Sequence, residues 1–379
     1  EAYRVLDRAE VFNPEGRGEI SLYAQMIDHL SSTLGYRPAY GKRFHRRHNL
    51  FVFFYDWRRS NVEAATQLAE FIEGIRRDLR QPKLKFRFVA ISQGGHVARY
   101  YLRYGGQDVI SDKPIDAPLE PTWAGLNACS GLTLIGSPIR GTVDAFKLLH
   151  EGYAPTALAK RNPPSTIFSF PAVFELLPDP DEPLFVGTGG EVLNFNVWDV
   201  NTWETHDLSV FSPDGLSDLK GRIRADAQPG DDRDAMYDQK MKQRRVWIKK
   251  VLVHAQRFKR SIGGEIGVPT SVILGVNHPT QARVGAILED EHWRYYFRPK
   301  NGGRKLDPMD VQLFLTGDGV VTRRSGLGLY LPEATSEFTA AGENFRNSLQ
   351  SWHFTQFEHR DMFEDDLLRL TLVELLANP

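Results

Sequence analysis

A single cysteine, Cys129, stands in 379 residues, so no disulfide can form within the chain, and neither a thiolate metal cluster nor a disulfide-stapled scaffold is open to it. No run of 18 or more apolar residues occurs, which leaves no candidate for a transmembrane helix. There is no basic excess either: 47 lysines and arginines face 48 aspartates and glutamates, for a formal net charge of −1. Nucleic acid is therefore not an expected partner. No internal repeat is visible, and no signal-peptide pattern follows Glu1. The opening reads as that of a processed or truncated chain, and no localisation follows from it. What is present is an ordinary globular composition, 41% hydrophobic and 25% charged, long enough to bury a large core.

The apolar pattern alternates between strand and helix. From Ile20, residues Leu22, Tyr23, Met26, Ile27 and Leu30 recur at helical spacing and stop at Gly35. Leu50 to Phe54 is an uninterrupted apolar run, expected as a strand buried on both faces. Ser60 and Glu63 then form a candidate capping box for a helix with its stripe at Val62, Ala65, Ala69, Ile72, Ile75 and Leu79, ending before Pro82. A strand is expected over Phe86 to Ile91, with a helix behind it carrying Val97, Tyr101 and Tyr104. Further strands are expected at Gly131 to Ile135, Val272 to Val276 and Val311 to Leu315, before a closing helix with Phe363, Leu367, Leu370 and Val373. Such alternation predicts an α/β fold, a mostly parallel sheet with helices on both faces.

Between about Tyr153 and Gly230 the pattern breaks down into proline, glycine and aspartate with scattered aromatics, among them Phe168, Phe170, Phe174, Trp198 and Trp203. This is poor material for βα units and is expected to be an inserted cap. The expected organisation is a core over 1–150 lacking its earliest strands, a cap or lid over 151–265, and the rest of the core over 266–379. Asp234 to Arg260 reads as a long helix bearing Lys240, Lys242, Arg244, Arg245, Lys249, Lys250, Arg257, Lys259 and Arg260. Such a helix can lie on an anionic membrane surface or present a solvated face.

The chemistry concentrates at Ser92, in Ala90-Ile91-Ser92-Gln93-Gly94-Gly95, where the Phe86–Ile91 strand turns into a helix. A serine on so sharp a corner reads as the nucleophile elbow of α/β-hydrolases, with Gly94 and Gly95 giving strand and helix room to pass and Ala90 replacing the usual first glycine; a serine between small residues after a strand also occurs in ordinary α/β turns. A serine hydroxyl needs an imidazole to take its proton and a carboxylate to orient that imidazole. Asp318, between Gly317 and Gly319 after a strand, and His359, in a loop before the last helix, supply them in the order Ser, Asp, His. The same Asp-Gly letters would also make a plain hairpin turn, and charged neighbours Glu358, Arg360 and Asp361 would also suit an exposed histidine. His353, inside a strand-like run, His254, on the basic helix, and His278, ahead of the acid, are the weaker bases. The backbone N–H of Gln93 is the expected oxyanion donor. A second donor, from a loop after an early strand, has no counterpart between Glu1 and Ile20: Glu15-Gly16-Arg17-Gly18 is glycine-rich without a convincing strand before it.

Taken together, the motifs resemble the lecithin:cholesterol acyltransferase family of α/β-hydrolases, to which phospholipid:diacylglycerol acyltransferases and a lysosomal phospholipase also belong. The resemblance rests on Leu22-Tyr23 through Gly35-Tyr36, Tyr55-Asp56-Trp57-Arg58, Ser92-Gln93-Gly94-Gly95 with Tyr100-Tyr101-Leu102, and Ile135-Gly136-Ser137-Pro138-Ile139-Arg140-Gly141. It continues in Leu176-Leu177-Pro178, Gly317-Asp318-Gly319-Val320-Val321 with Ser325, and Glu358-His359-Arg360. It departs at the elbow, where Ile91 and Gln93 stand in place of His and Met, and at Val320, where Thr is common. The family's early strand with a Pro-Gly oxyanion loop is absent, and Gly187 to Arg260 shows no likeness. The resemblance implies Ser92 as nucleophile, Asp318 as orienting acid and His359 as general base and acid. It also implies a lipid ester as acyl donor and an alcohol or water as acceptor, with no metal or organic cofactor. A plain carboxylesterase or lipase, or a non-catalytic protein of the same fold that binds a lipid or a partner, are the alternatives.

Overall fold

The computed structural model describes residues 8–13, 16–21, 23–41, 43–154, 161–299, 306–329 and 337–377. The central element is a four-stranded parallel sheet in the order β14-β9-β6-β5. To place those strands in the chain, β1 (Arg8–Asn13) and β2 (Gly16–Ser21) form an antiparallel hairpin, followed by α1 (Ala24–Leu34) and a short parallel pair, β3 (Pro38–Tyr40) with β4 (Leu50–Val52). Next come α2 (Asn61–Leu79), β5 (Phe86–Ile91), α3 (Gly94–Tyr104), β6 (Cys129–Ile135) and α4 (Val143–Glu151). The middle holds α5 (Pro164–Ile167), α6 (Pro171–Glu175), β7 (Phe185–Val186), β8 (Val192–Leu193), α7 (Val200–Thr205), α8 (Pro213–Asp226) and α9 (Arg233–Ser261). The chain returns through β9 (Thr270–Gly275), β10 (His278–Gln281), β11 (Val284–Glu289) and β12 (His292–Tyr296). It finishes with α10 (Pro308–Gln312), β13 (Phe314–Gly317), α11 (Arg323–Gly326), α12 (Glu337–Asn347), β14 (Leu349–Thr355) and α13 (Asp366–Ala377).

Alternation along the strands sorts their side chains to two faces. Ala90, Leu132, Leu134, Val272 and Leu274 pack under α2, α3 and the end of α9 with Val62, Val97, Tyr101 and Phe258. On the other face Ile135 and Ile273 meet Leu30 of α1 and Leu368 and Leu372 of α13. This is the α/β-hydrolase arrangement, with a parallel sheet covered on both sides and every strand-to-helix turn at one edge.

A separate core belongs to the middle segment. Phe168, Phe174, Trp198 and Trp203 are buried there with Phe146, Phe185, Ile248 and Leu252. The aromatics scattered through this stretch of the sequence thus gather mostly in a buried interior, where compact burial of rings keeps them from water. A second sheet, β12-β11-β7-β8, combines strands from 185–193 with the 284–296 hairpin.

Several local expectations are corrected. Ile20 lies in β2, not in the first helix. A strand does precede Glu15-Gly16-Arg17-Gly18, because Arg8–Asn13 pairs back on Gly16–Ser21. The strand expected at Val311 to Leu315 begins only at Phe314; Asp307 and Asp310 form a capping box around Pro308 and start a helical turn through Val311. Glu63 is not the partner of the Ser60 cap but pairs with exposed Arg59 at 2.6 Å.

The basic helix also differs from a simple solvated face. Lys240, Lys242, Lys249 and Lys250 are exposed, whereas Arg257 is buried and donates to the carbonyls of Val109, Ile110, Pro114 and Ala117. Lys259 is buried against Asp179 at 2.9 Å. No described helix is long and apolar enough to cross a membrane.

Candidate active site

Ser92 occupies the turn between β5 and α3 with φ +51. A positive φ is costly for a residue with a Cβ, and it aims the side chain out of the end of the strand. The turn is held by the Ser92 N–H, which donates to the Ile135 carbonyl at 2.8 Å. Of the two glycines beyond it, Gly95 is the one the packing requires: a Cβ there would lie 2.3 Å from Ser137 Oγ. Gly94 would meet only the Tyr55 hydroxyl, at 4.0 Å.

The expected acid and base come to the same end of the sheet. Asp318 follows β13, and its carboxylate is fully buried. Its Oδ1 accepts from the N–H groups of Val320 (3.0 Å) and Val321 (2.7 Å), an Asx turn closing on itself. That leaves Oδ2 for His359 Nδ1–H at 2.8 Å. The His359 N–H also donates to the Asp318 carbonyl at 2.7 Å, so backbone and side chain fix the pair together. With the proton on Nδ1, Nε2 is left to accept from the Ser92 hydroxyl at 2.9 Å.

Three further residues support this geometry. Thr142, the N-cap of α4, donates its hydroxyl to the Val320 carbonyl at 2.6 Å. Thr280 Oγ1 accepts from the Gly319 N–H at 2.8 Å. Both grip the turn that carries Asp318, and of the two only Thr142 adjoins a motif, following directly on Ile135–Gly141. The third, Gly136, has φ +55, and a Cβ there would lie 3.2 Å from both Asp318 Oδ2 and the His359 ring.

The side chains of the other candidate bases bond elsewhere, although the His278 backbone pairs with Gly317 and Asp318. His353 hydrogen-bonds Ser351 on β14, and His278 Nε2 bonds the Gln356 carbonyl. His254 lies against Glu175 at 2.9 Å.

Gln93 heads α3. Among the described residues its N–H donates to no protein acceptor, so it points a free donor from the helix N-terminus beside Ser92. Trp57, 42% exposed, stands over the same end, edge-on to Phe170 (5.7 Å) and Tyr153 (6.3 Å). Below, buried Arg140 of the Gly136–Thr142 loop joins Asp179 (3.3 Å), Asp181 (2.8 Å) and Glu182, tying the loop to the segment after α6. Among the described residues no cluster of three or more His, Cys, Asp or Glu could hold a metal ion.

The sequence model of the family described as lecithin:cholesterol acyltransferase matches residues 3–218, more than half of the chain. The matched stretch takes in Ser92 and Gln93 and ends before Asp318 and His359. The crystal structure of the Tle4–Tli4 complex aligns with a TM-score of 0.46 at 13% identity, covering 88% of this chain and 70% of that one. No curated protein matches the sequence.

Proposed function

The chain belongs to the lecithin:cholesterol acyltransferase family, and from that premise we propose that it transfers or hydrolyses the acyl group of a lipid ester through an acyl-enzyme on Ser92. Family membership supports the coarser statement, an acyl-transferring or ester-hydrolysing enzyme. The finer one rests on a single observation, the continuous hydrogen-bonded line from Ser92 Oγ through His359 to Asp318, at 2.9 and 2.8 Å.

In this reading Ser92 Oγ attacks the ester carbonyl as His359 Nε2 takes its proton. Asp318 holds the ring in the Nδ1–H tautomer and balances the imidazolium that forms. The carbonyl oxygen becomes an oxyanion, and the Gln93 N–H donates to it. Collapse expels the lipid alcohol, which leaves with the proton from His359, and the acyl group stays on Ser92. His359 then deprotonates an incoming alcohol or water, which takes the acyl group and restores the serine. Trp57, Tyr153 and Phe170 offer apolar surface at the mouth for an acyl chain. No step calls for a metal or organic cofactor.

Fluorophosphonate labelling followed by intact mass tests the reading. The expected result is one adduct on the wild-type chain, none on Ser92→Ala, and labelling slowed at least a hundredfold in His359→Ala. A folded wild-type chain that takes no label would overturn the proposal in favour of a binding protein. Product analysis with and without an added long-chain alcohol then separates transfer from hydrolysis, the latter being the outcome for a plain esterase or lipase.

A further inference from the structure

A buried polar chain runs from the elbow into the middle segment, and the triad does not use it. It starts at the side chain of Gln93, whose Nε2 donates to the Trp57 carbonyl (3.1 Å) and to Asn61 Oδ1 (2.9 Å). Asn61 is the first residue of α2 and fully buried. Its orientation is set from the far side: Nδ2 donates to Glu175 Oε2 at 2.7 Å, and its backbone N–H to the same oxygen at 2.8 Å. An amide so held has only its carbonyl left to face Gln93.

Glu175, at the end of α6, is likewise fully buried. A lone buried carboxylate is costly, but this one is saturated. Besides Asn61 it accepts from the Ser60 hydroxyl (2.6 Å) and from His254 Nε2 (2.9 Å), and it sits at the positive N-terminal end of α2. Burial works against charge on His254, yet the hydrogen bond and charge of Glu175, with Asp108 and Glu63 beyond, outweigh it and raise its pKa above the ordinary imidazole value. The chain His254, Glu175, Asn61, Gln93 thus links α9, α6, α2 and the first turn of α3.

This arrangement bears on catalysis because Gln93 carries the proposed oxyanion donor. Its backbone N–H stabilises charge only while it points at the reacting carbonyl, and a displacement of the order of 1 Å costs about a hundredfold in rate. A glutamine that is half exposed would ordinarily sample several rotamers and leave the backbone of the turn unbraced. Here both of its amide hydrogens are used.

We infer that Glu175 and Asn61 are positioning residues which, through the Gln93 side chain, lock the oxyanion-donating N–H beside Ser92. The inference rests on the acyl-enzyme reading above. It assigns a task to a glutamate 83 residues from the nucleophile in sequence, and explains why the residue after Ser92 is a glutamine capable of two donated bonds.

The test compares wild type with Gln93→Met and Asn61→Ala, using p-nitrophenyl octanoate hydrolysis for kcat and KM, fluorophosphonate labelling for Ser92, and circular dichroism for folding. Gln93→Met keeps the backbone N–H, the side-chain length and a half-exposed site, so it remains informative if Asn61→Ala does not fold. Both variants are expected to lower kcat about tenfold with KM within twofold, a fraction of the hundredfold or more that losing an oxyanion donor costs. A residue with only a structural role would lower stability and leave kcat of the folded fraction unchanged. Wild-type labelling at Ser92 together with unaltered kcat in folded Gln93→Met overturns this inference alone. Failure of wild-type labelling instead overturns the acyl-enzyme reading beneath it.

Discussion

Gly136 offers a narrow test of how closely the Asp318–His359 pair must be held. Gly136→Ala adds one methyl group at a position with φ +55, 3.2 Å from Asp318 Oδ2, His359 Cε1 and His359 Nδ1. The left-handed backbone costs an L-residue roughly 1–2 kcal/mol. In a protein of this size that amounts to a melting-point drop of about 1–4 °C. The contacts are a few tenths of an ångström tighter than ordinary carbon contacts of about 3.5–4.0 Å, and the two side chains lie on the same side of the new methyl. They must therefore retreat together or part. Scaling from about a hundredfold per ångström of misplacement, a retreat of about half an ångström predicts kcat down roughly tenfold, with KM little changed because no lipid-facing atom moves. The assay is steady-state ester hydrolysis alongside thermal unfolding. Wild-type kcat in the presence of the expected stability loss would refute the reasoning, because it would mean that turnover does not depend on the geometry of this pair. Stability loss well above about 4 kcal/mol would refute it differently, by showing that the methyl disturbs the whole end of the sheet.

Two other outcomes follow from named contacts. In the proposed mechanism Asp318→Asn removes the charge that would balance the His359 imidazolium and can present an N–H to Nδ1, so kcat is expected to fall about 10³- to 10⁴-fold with little change in KM, measured on the same ester. His150 tests the packing of α4 against the middle segment: its ring packs against Phe146, Tyr295 and Phe297, its Nδ1 accepts from the Ser209 N–H, and burial lowers its pKa to about 4. Since the unfolded chain takes up this proton near pH 6.5 and the folded one only near 4, stability is lost as pH falls through that window, by about 2 kcal/mol at pH 5. Urea unfolding at pH 7.5 and pH 5 should show this loss, and His150→Asn, which keeps an acceptor for Ser209 but does not titrate, should remove it; an equal loss in that variant would sink the assignment.

What was legible in the sequence was most of the sheet: β6 and β9 are buried on both faces and therefore written as apolar runs, and half-buried β5 still carries apolar residues around Arg87, so the three lie where Gly131–Ile135, Val272–Val276 and Phe86–Ile91 mark them. The failures share a cause, in that local letters had a second solution. Val311-Gln312-Leu313-Phe314-Leu315 looks like one strand, but Pro308 between Asp307 and Asp310 begins a helical turn that consumes its first half. Ser60 and Glu63 spell a capping box, and Ser60 does accept from the Val62 N–H, yet the Asn61 N–H at that helix end goes not to Glu63 but to Glu175, more than a hundred residues away. No local pattern could name it. The cap aromatics were visible as letters, but whether a ring lines a pocket or fills a core depends on what folds against it, and Trp203 and Phe174 went to the core.

Asp318 shows why two competing readings of the same letters need not exclude each other. Between Gly317 and Gly319 an aspartate serves a tight turn equally well as an orienting acid, and the sequence offers no means of choosing. The carboxylate has two oxygens, however, and in the folded chain they divide the work: Oδ1 closes the turn on the N–H groups of Val320 and Val321, and Oδ2 faces His359. The turn is what makes the second oxygen usable. A buried carboxylate with a free rotor would lose entropy each time it met the imidazole, whereas one already pinned by two backbone donors presents its remaining oxygen along a fixed line. Thr142 and Thr280, which grip the carbonyl of Val320 and the N–H of Gly319, extend the same device outward. The ordinary turn is therefore the support on which the proposed chemistry stands, and substitutions that loosen it should act on kcat through Asp318 without touching the lipid.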